Sequence, residues 1–210
     1  MPRPAFSYGR DVPEKSCQKL KEPARSLVVI GSSTGGVPVV RDILNSLRED
    51  APAIVVAQHM PRDYTGSFAE SCNTDSLIYA SEAADGSRIY QGFAFIIPGD
   101  SHGVLRKDGS GLYLELNRDE PVNFFRPSVD VLFASAAHVS GLPVTGIILT
   151  GMGSDGAKGL MMMREAGHET IAQDRESSAV YGMPREAAER GAARRIMTIG
   201  EMISHINSMP

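Results

Sequence analysis

The aliphatic run Leu27-Val28-Val29-Ile30 passes directly into Gly31-Ser32-Ser33-Thr34-Gly35-Gly36, and this junction constrains the fold more than any other stretch of the chain. Four aliphatic residues with no polar alternation belong in a strand covered on both faces, and the glycine-lined turn after them opens a helix. Within the turn, Gly31-x-Ser33-x-Gly35 has the spacing of a nucleophile elbow, where small residues flank a serine whose hydroxyl projects above the sheet. Ser33 is therefore a candidate nucleophile. The same residues would also serve as a turn in which Ser or Thr caps the next helix, so a base and an acid elsewhere must decide between the two readings.

From Ser26 onward the pattern alternates. A helix is expected over residues 37–48, a strand over 53–57 and a helix over 64–71. This βαβ rhythm predicts a parallel sheet covered on both faces, with right-handed crossovers. The middle departs from it: residues 93–97 read as a short strand stopped by Pro98-Gly99. Gly103-Val104-Leu105 then faces residues 112–116 across Lys107-Asp108-Gly109-Ser110-Gly111, which predicts an antiparallel hairpin at one sheet edge. Helix and strand resume over 128–139, 146–150, 155–166 and 170–173, with two more helices after Pro184 and Glu201. Residues 1–25 carry prolines at 2, 4, 13 and 23 and no sustained apolar period, and are expected to be a flexible tail or linker remnant ahead of a domain over 26–208.

Composition narrows the function classes. With 42% hydrophobic and 22% charged residues in 210, the chain matches one globular α/β domain. No apolar stretch approaches the roughly 18 residues that span a bilayer, and Met1-Pro2-Arg3-Pro4 is followed by no apolar segment of a secretory signal, so membrane insertion is not expected and the cytoplasm is the expected location. Cys17 and Cys72 are too few for a disulfide framework. A net charge of -4, and a mixed-sign run from Arg185 to Arg195, argue against a nucleic-acid partner.

The base and the acid are sought at strand ends, because in an open parallel sheet functional groups gather there. His59, in Gln58-His59-Met60-Pro61, ends the strand over 53–57 and would share a rim with Ser33. His102, His138, His168 and His205 stand in less telling surroundings. Asp155 lies in Gly151-Met152-Gly153-Ser154-Asp155-Gly156 after the strand over 146–150, where it suits both an orienting carboxylate and the N-cap of the following helix. The same loop offers a rival, since Gly151-x-Gly153-x-x-Gly156 with Asp174 further on matches a dinucleotide fingerprint. Against it, the loop comes late in the βαβ series, and Asp155 would face an anionic pyrophosphate. Met161-Met162-Met163 reads as partly buried filler, with a flexible contact surface as the alternative.

Six blocks in order carry a resemblance. They are residues 30–36, Gln58-His59-Met60-Pro61, Pro98-Gly99-Asp100-Ser101-His102, Arg126-Pro127-Ser128-Val129-Asp130, residues 149–157 and residues 181–187. Together they resemble the catalytic domain of the chemotaxis protein-glutamate methylesterases. That resemblance implies a doubly wound, mostly parallel sheet and a serine hydrolase that removes methyl groups from glutamate γ-methyl esters on the cytoplasmic helices of chemoreceptors, releasing methanol, and often deamidates receptor glutamines. It places the nucleophile at Ser33, the base at His59 and the acid at Asp155, with Thr34 and Met152 lining an oxyanion site and Arg126 at the substrate rim. No metal or organic cofactor is implied.

Two alternatives stay open beside it, a receptor-binding module of the same fold without turnover and an esterase for another substrate. Ser32 stands where alanine is usual, leaving a second hydroxyl beside the nucleophile, and Phe124-Phe125 stand where a more polar pair is usual. The family's usual architecture sets a phosphorylatable receiver domain ahead of the catalytic one. About 25 residues precede the first strand here, so the resemblance leads to an expectation of a receiver supplied in trans, or of none.

Overall fold

A computed structural model describes residues 22–210. Seven strands form one parallel sheet: β1 (Leu27–Ser32), β2 (Ala53–Gln58), β3 (Tyr79–Glu82), β5 (Phe93–Ile96), β8 (Val144–Ile148), β9 (Glu169–Gln173) and β10 (Arg195–Met197), in the order β10-β9-β8-β1-β2-β5-β3. The helices are α1 (Gly36–Asn45), α2 (Arg62–Ser71), α3 (Val129–Ala136), α4 (Ala157–Glu165), α5 (Met183–Glu189) and α6 (Ile199–Ser208).

Strand periodicity explains the layering. Along β1, Leu27 and Val29 point to one face, where α3, α4 and α5 supply Phe133, Leu160, Met163 and Met183. Val28 and Ile30 point to the other, where α1, α2 and α6 supply Ile43, Leu44, Phe68 and Met202. Every residue of β1 and β2 is buried, so each strand stabilises two cores at once, at about 1.5 to 3 kcal/mol for each large aliphatic side chain. The doubly wound sheet with helices on both faces follows.

The expected hairpin is present and longer than its apolar residues suggest. β6 (His102–Asp108) pairs with β7 (Gly111–Asn117) from His102↔Asn117 to Asp108↔Gly111. With β4 (Ser87–Arg88) it forms a three-stranded antiparallel sheet of its own, packed through Leu105, Leu112 and Leu114 onto the core beneath α3. Two edge strands of the large sheet, β3 and β10, carry no apolar run and are not predicted by pattern; both are short, as edges usually are.

Residues 1–21 of the expected tail lie outside the described residues. The rest of that stretch is tied down. The Glu22 carbonyl accepts the Gln91 N–H at 3.0 Å, and the Arg25 N–H donates to Gln91 Oε1 at 2.9 Å. In the methionine run, Met163 is fully buried and Met162 is exposed, so the filler reading holds for the inner residue.

From β1 the chain moves outward to β2 and on to β3 at the edge, comes back to β5 between them, then crosses to the other side of β1 as β8 and continues outward to β9 and β10. The strand order therefore reverses between β1 and β8. The crevice beyond their carboxyl ends is the place where open α/β sheets bind ligands.

Candidate active site

Three strand ends meet at this crevice. Ser32 of β1 is in register with Gln58 of β2, so Ser33 and His59 are the next residues along two adjacent parallel strands. The Ser33 N–H donates to the Thr150 carbonyl just beyond β8 at 3.1 Å, and the Ser33 carbonyl accepts the Gly36 N–H at 2.9 Å, closing the turn into α1. Gln58 fastens the two ends together: its Nε2 donates to the Ser33 carbonyl at 3.0 Å and to the His59 carbonyl at 3.2 Å, while Oε1 accepts the Ser32 hydroxyl. Ser33 is half-buried, and its hydroxyl makes no hydrogen bond among the described residues.

His59 reaches across to Asp155, with Nε2 at 2.8 Å from Oδ2. A carboxylate only accepts, so Nε2 carries the proton, a tautomer assigned from its partner. The other ring nitrogen, Nδ1, is then the basic one. It is buried without a hydrogen-bond partner, and the side chain is only 6% exposed.

Asp155 is fully buried and ringed by donors. Oδ1 accepts Asn123 Nδ2 at 2.7 Å, the Ser128 hydroxyl at 2.8 Å and the Asp130 N–H at 3.4 Å; Oδ2 accepts the Val129 N–H at 2.7 Å beside His59. Ser128, Val129 and Asp130 are the start of α3, so the carboxylate caps α3 and not α4, the helix it precedes. This corrects the N-cap expectation by one helix. The exchange is reciprocal, because Asp130 in the first turn of α3 accepts the Gly159 N–H of α4 at 2.7 Å. Asn123 joins the two acids, donating also to Asp130 Oδ2 at 2.8 Å.

The two carboxyls respond oppositely to this setting. Burial pushes Asp155 up, but the hydrogen bonds from His59, Asn123, Ser128 and Val129 together outweigh it and hold the group below the usual carboxylate range. Burial also pushes Asp130 up; the Gly159 amide pulls down, the nearby Asp155 charge pushes up again, and the group ends above that range. For Asp155 the stabilisation is present above its unfolded value and is lost as pH falls through the lowered folded one. For Asp130 the sign reverses, and stability contributed by its protonated form is lost as pH rises through the raised value. Carboxyl-detected NMR titration of the folded protein is expected to show Asp130 protonating at higher pH than Asp155. The opposite order would contradict this assignment.

Two glycines are required by close approach. A Cβ on Gly31 would overlap Val129 Cγ1 where α3 crosses the end of β1. One on Gly151 would overlap Met183 Sδ and lie 2.7 Å from Ser33 Cβ. Gly151 therefore serves as the wall against which Ser33 rests, which accounts for the first glycine of the apparent dinucleotide fingerprint. In the same fingerprint, Gly156 packs against Val129 at positive φ, and Asp174 accepts the Ser177 N–H at 3.3 Å.

Thr34 is exposed at the crevice, its peptide fixed by Thr150 Oγ1 donating to the Thr34 carbonyl at 3.0 Å. Neither the Thr34 nor the Met152 N–H has a backbone partner among the described residues. Met152 is 73% exposed and, with Tyr181, Gly182 and Arg185, lines an open depression of about 420 Å³ beside the loop after β8. Arg126, expected at a substrate rim, is engaged within its own loop. Its Nη1 donates to the Arg118 and Asp119 carbonyls, both at 3.1 Å, so the side chain braces its own loop. Ser32 likewise presents no second accessible hydroxyl, being fully buried and bonded to Gln58.

His102 is structural: its Nδ1 accepts the Ser128 N–H at 3.2 Å, and Nε2 therefore donates to the Glu120 carbonyl at 3.2 Å. Asn123 carries no sequence signal, and Phe125 stands out only as a departure from a more polar pair, yet both touch the site. Phe125 stacks on the His59 ring with centroids 3.7 Å apart and planes 7° from parallel.

The geometry agrees with what the chain is similar to. The family described as CheB methylesterase matches residues 28–206. Protein-glutamate methylesterase/protein-glutamine glutaminase 1 of Xanthomonas oryzae pv. oryzae is 45% identical over 195 residues, covering 93% of this chain and 56% of the relative. The protein-glutamate methylesterase/protein-glutamine glutaminase of Chromohalobacter salexigens is 47% identical over 199 residues, with the same two coverages. The chain thus spans about half the length of the curated relatives it matches. The crystal structure of the Thermotoga maritima CheB methylesterase catalytic domain superposes with a TM-score of 0.83 at 34% identity, covering 89% of this chain and 98% of that one. On the family match over residues 28–206, and on relatives and a solved structure alike in sequence and fold, the chain belongs to the CheB methylesterase family.

Proposed function

We propose that the domain over residues 26–208 is a serine hydrolase acting on glutamate γ-methyl esters of chemoreceptor helices in the cytoplasm. The observation that carries this reading is His59. Its Nε2 is bound to an ionised Asp155 and its Nδ1 is buried and unengaged, one register step from Ser33 across two parallel strands. The activities for which the relatives are named support the substrate class.

In this mechanism His59 Nδ1 takes the Ser33 proton as Oγ attacks the ester carbonyl. The imidazolium then protonates departing methanol, and the same nitrogen activates water to release the free glutamate. Asp155 holds the tautomer and stabilises the imidazolium. The unengaged N–H groups of Thr34 and Met152 are the oxyanion donors, each worth about 3 to 4 kcal/mol in such sites. A glutamine side chain would pass through the same acyl-enzyme with ammonia leaving, so deamidation needs no further group. The partners in this reading are methylated receptor helices.

Methyl-labelled receptor incubated with the protein is expected to release volatile methanol, and a fluorophosphonate is expected to form its adduct on the peptide that contains Ser33. An adduct without methanol release would point to an esterase for another substrate. A folded protein that gives neither would be a binding module.

A further inference from the structure

We infer that Phe125 is a positioning residue for His59, holding the plane of the imidazole so that Nδ1 faces the Ser33 hydroxyl; this rests on the triad proposed above. The bond to Cβ holds the imidazole at Cγ, and one hydrogen bond, from Nε2 to Asp155, holds a second vertex. A ring held at two vertices can still rock about the line between them and swing Nδ1 aside. A constraint on the plane is needed, and the phenyl ring of Phe125, parallel within 7° and 3.7 Å away, supplies it.

The stack is imposed by the backbone beneath it. Aromatic pairs left to themselves prefer offset or edge-to-face arrangements over close parallel overlap. Phe125 ends a two-residue turn in which Val122 and Phe125 exchange N–H to carbonyl bonds at 3.1 and 2.9 Å. Both central residues, Asn123 at φ 54° and Phe124 at φ 69°, have the positive φ of a type I′ turn, which a phenylalanine rarely adopts. Phe124 itself is 98% exposed, so no packing of its side chain explains the conformation. What the turn achieves lies on either side of Phe124. Asn123 donates to Asp155, and Phe125 lies on His59. One turn therefore grips both the acid and the base, and the contacts Asn123 to Asp155 to His59 to Phe125 close a ring. Strain kept at a site and satisfied by its neighbours is the pattern expected of a functional constraint.

The test uses a small fluorophosphonate, whose attack by Ser33 needs the base but no receptor. Phe125→Leu keeps much of the volume and removes the plane. It is expected to lower the labelling rate at saturating probe by about ten- to a hundredfold, as small misplacements of a catalytic group do, while the half-saturating concentration stays within about threefold. Phe125→Tyr and Phe125→His restore a flat ring and are expected to return the rate to within about threefold of the parent. If Phe125→Leu does not fold, Phe125→Met carries the same comparison. A parental rate in the non-planar variant would overturn the inference, as would equal losses in planar and non-planar variants. A parent protein that is not labelled at all would overturn the triad and this inference together. Labelling of the parent without methanol release from receptor would remove only the substrate assignment and leave the role of Phe125 standing.

Discussion

Asp155→Asn is expected to lower ester hydrolysis by about four orders of magnitude and to destabilise the fold by about 1 to 3 kcal/mol, although it changes one oxygen for one nitrogen. Every group around the carboxylate donates: His59 Nε2 and the Val129 N–H on one oxygen, and Asn123, the Ser128 hydroxyl and the Asp130 N–H on the other. An amide must turn its NH2 to one side. Facing His59, it forces the proton to Nδ1 and removes the base. Facing Ser128, it preserves the tautomer and leaves Asn123 and the Asp130 N–H without their acceptor. Hydrolysis rates and urea denaturation of this variant distinguish the two outcomes. Activity within tenfold of the parent would exclude Asp155 as the orienting acid.

Gly151→Ala is the second large effect, an expected loss of about a hundredfold in rate at a cost of about 1 to 3 kcal/mol in stability. The backbone at Gly151 is not at positive φ, so alanine meets no conformational penalty there. The added methyl meets Met183 and Ser33. The thioether can move aside, being unbranched and flexible. Ser33 has no such free path, because it can shift only by straining the bonds of its N–H to Thr150 and of its carbonyl to Gly36 and Gln58. The expected result is a proposed nucleophile pushed off its productive position while the core stays intact. Combining it with Met183→Ala should leave the defect in place, since the contact with Ser33 persists. Full recovery of rate in that double variant would show that Met183, and not Ser33, transmits the effect.

The legible part of this protein was the part written locally. Leu27 to Ile30 announced a two-faced strand because no polar residue interrupts it, and Ser33, His59 and Asp155 stood out because each follows such a run. The pattern could not announce β3 or β10, where Tyr79, Ser81, Glu82, Arg195 and Ile196 sit on edges with one side toward solvent. Nor could it show which helix Asp155 caps, a pairing with residues about thirty positions earlier that depends on how α3 and α4 pack. Asn123 acts across a similar separation and Phe125 across a longer one. Arg126 belongs to a recognisable block, but its block could not show that its guanidinium is engaged by the Arg118 and Asp119 carbonyls.

The reciprocal capping of α3 and α4 ties the appearance of the acid to a docking event. Asp155 finds its ligands only when the start of α3 is in place, and Gly159 of α4 finds Asp130 only in that same arrangement. Neither helix can open its first turn alone without stranding the partner's charge. The two N-termini should therefore loosen as one cooperative unit. A protein that has not joined them lacks a seated orienting acid in the proposed triad, so an incompletely folded chain is expected to lose activity as Asp155→Asn does.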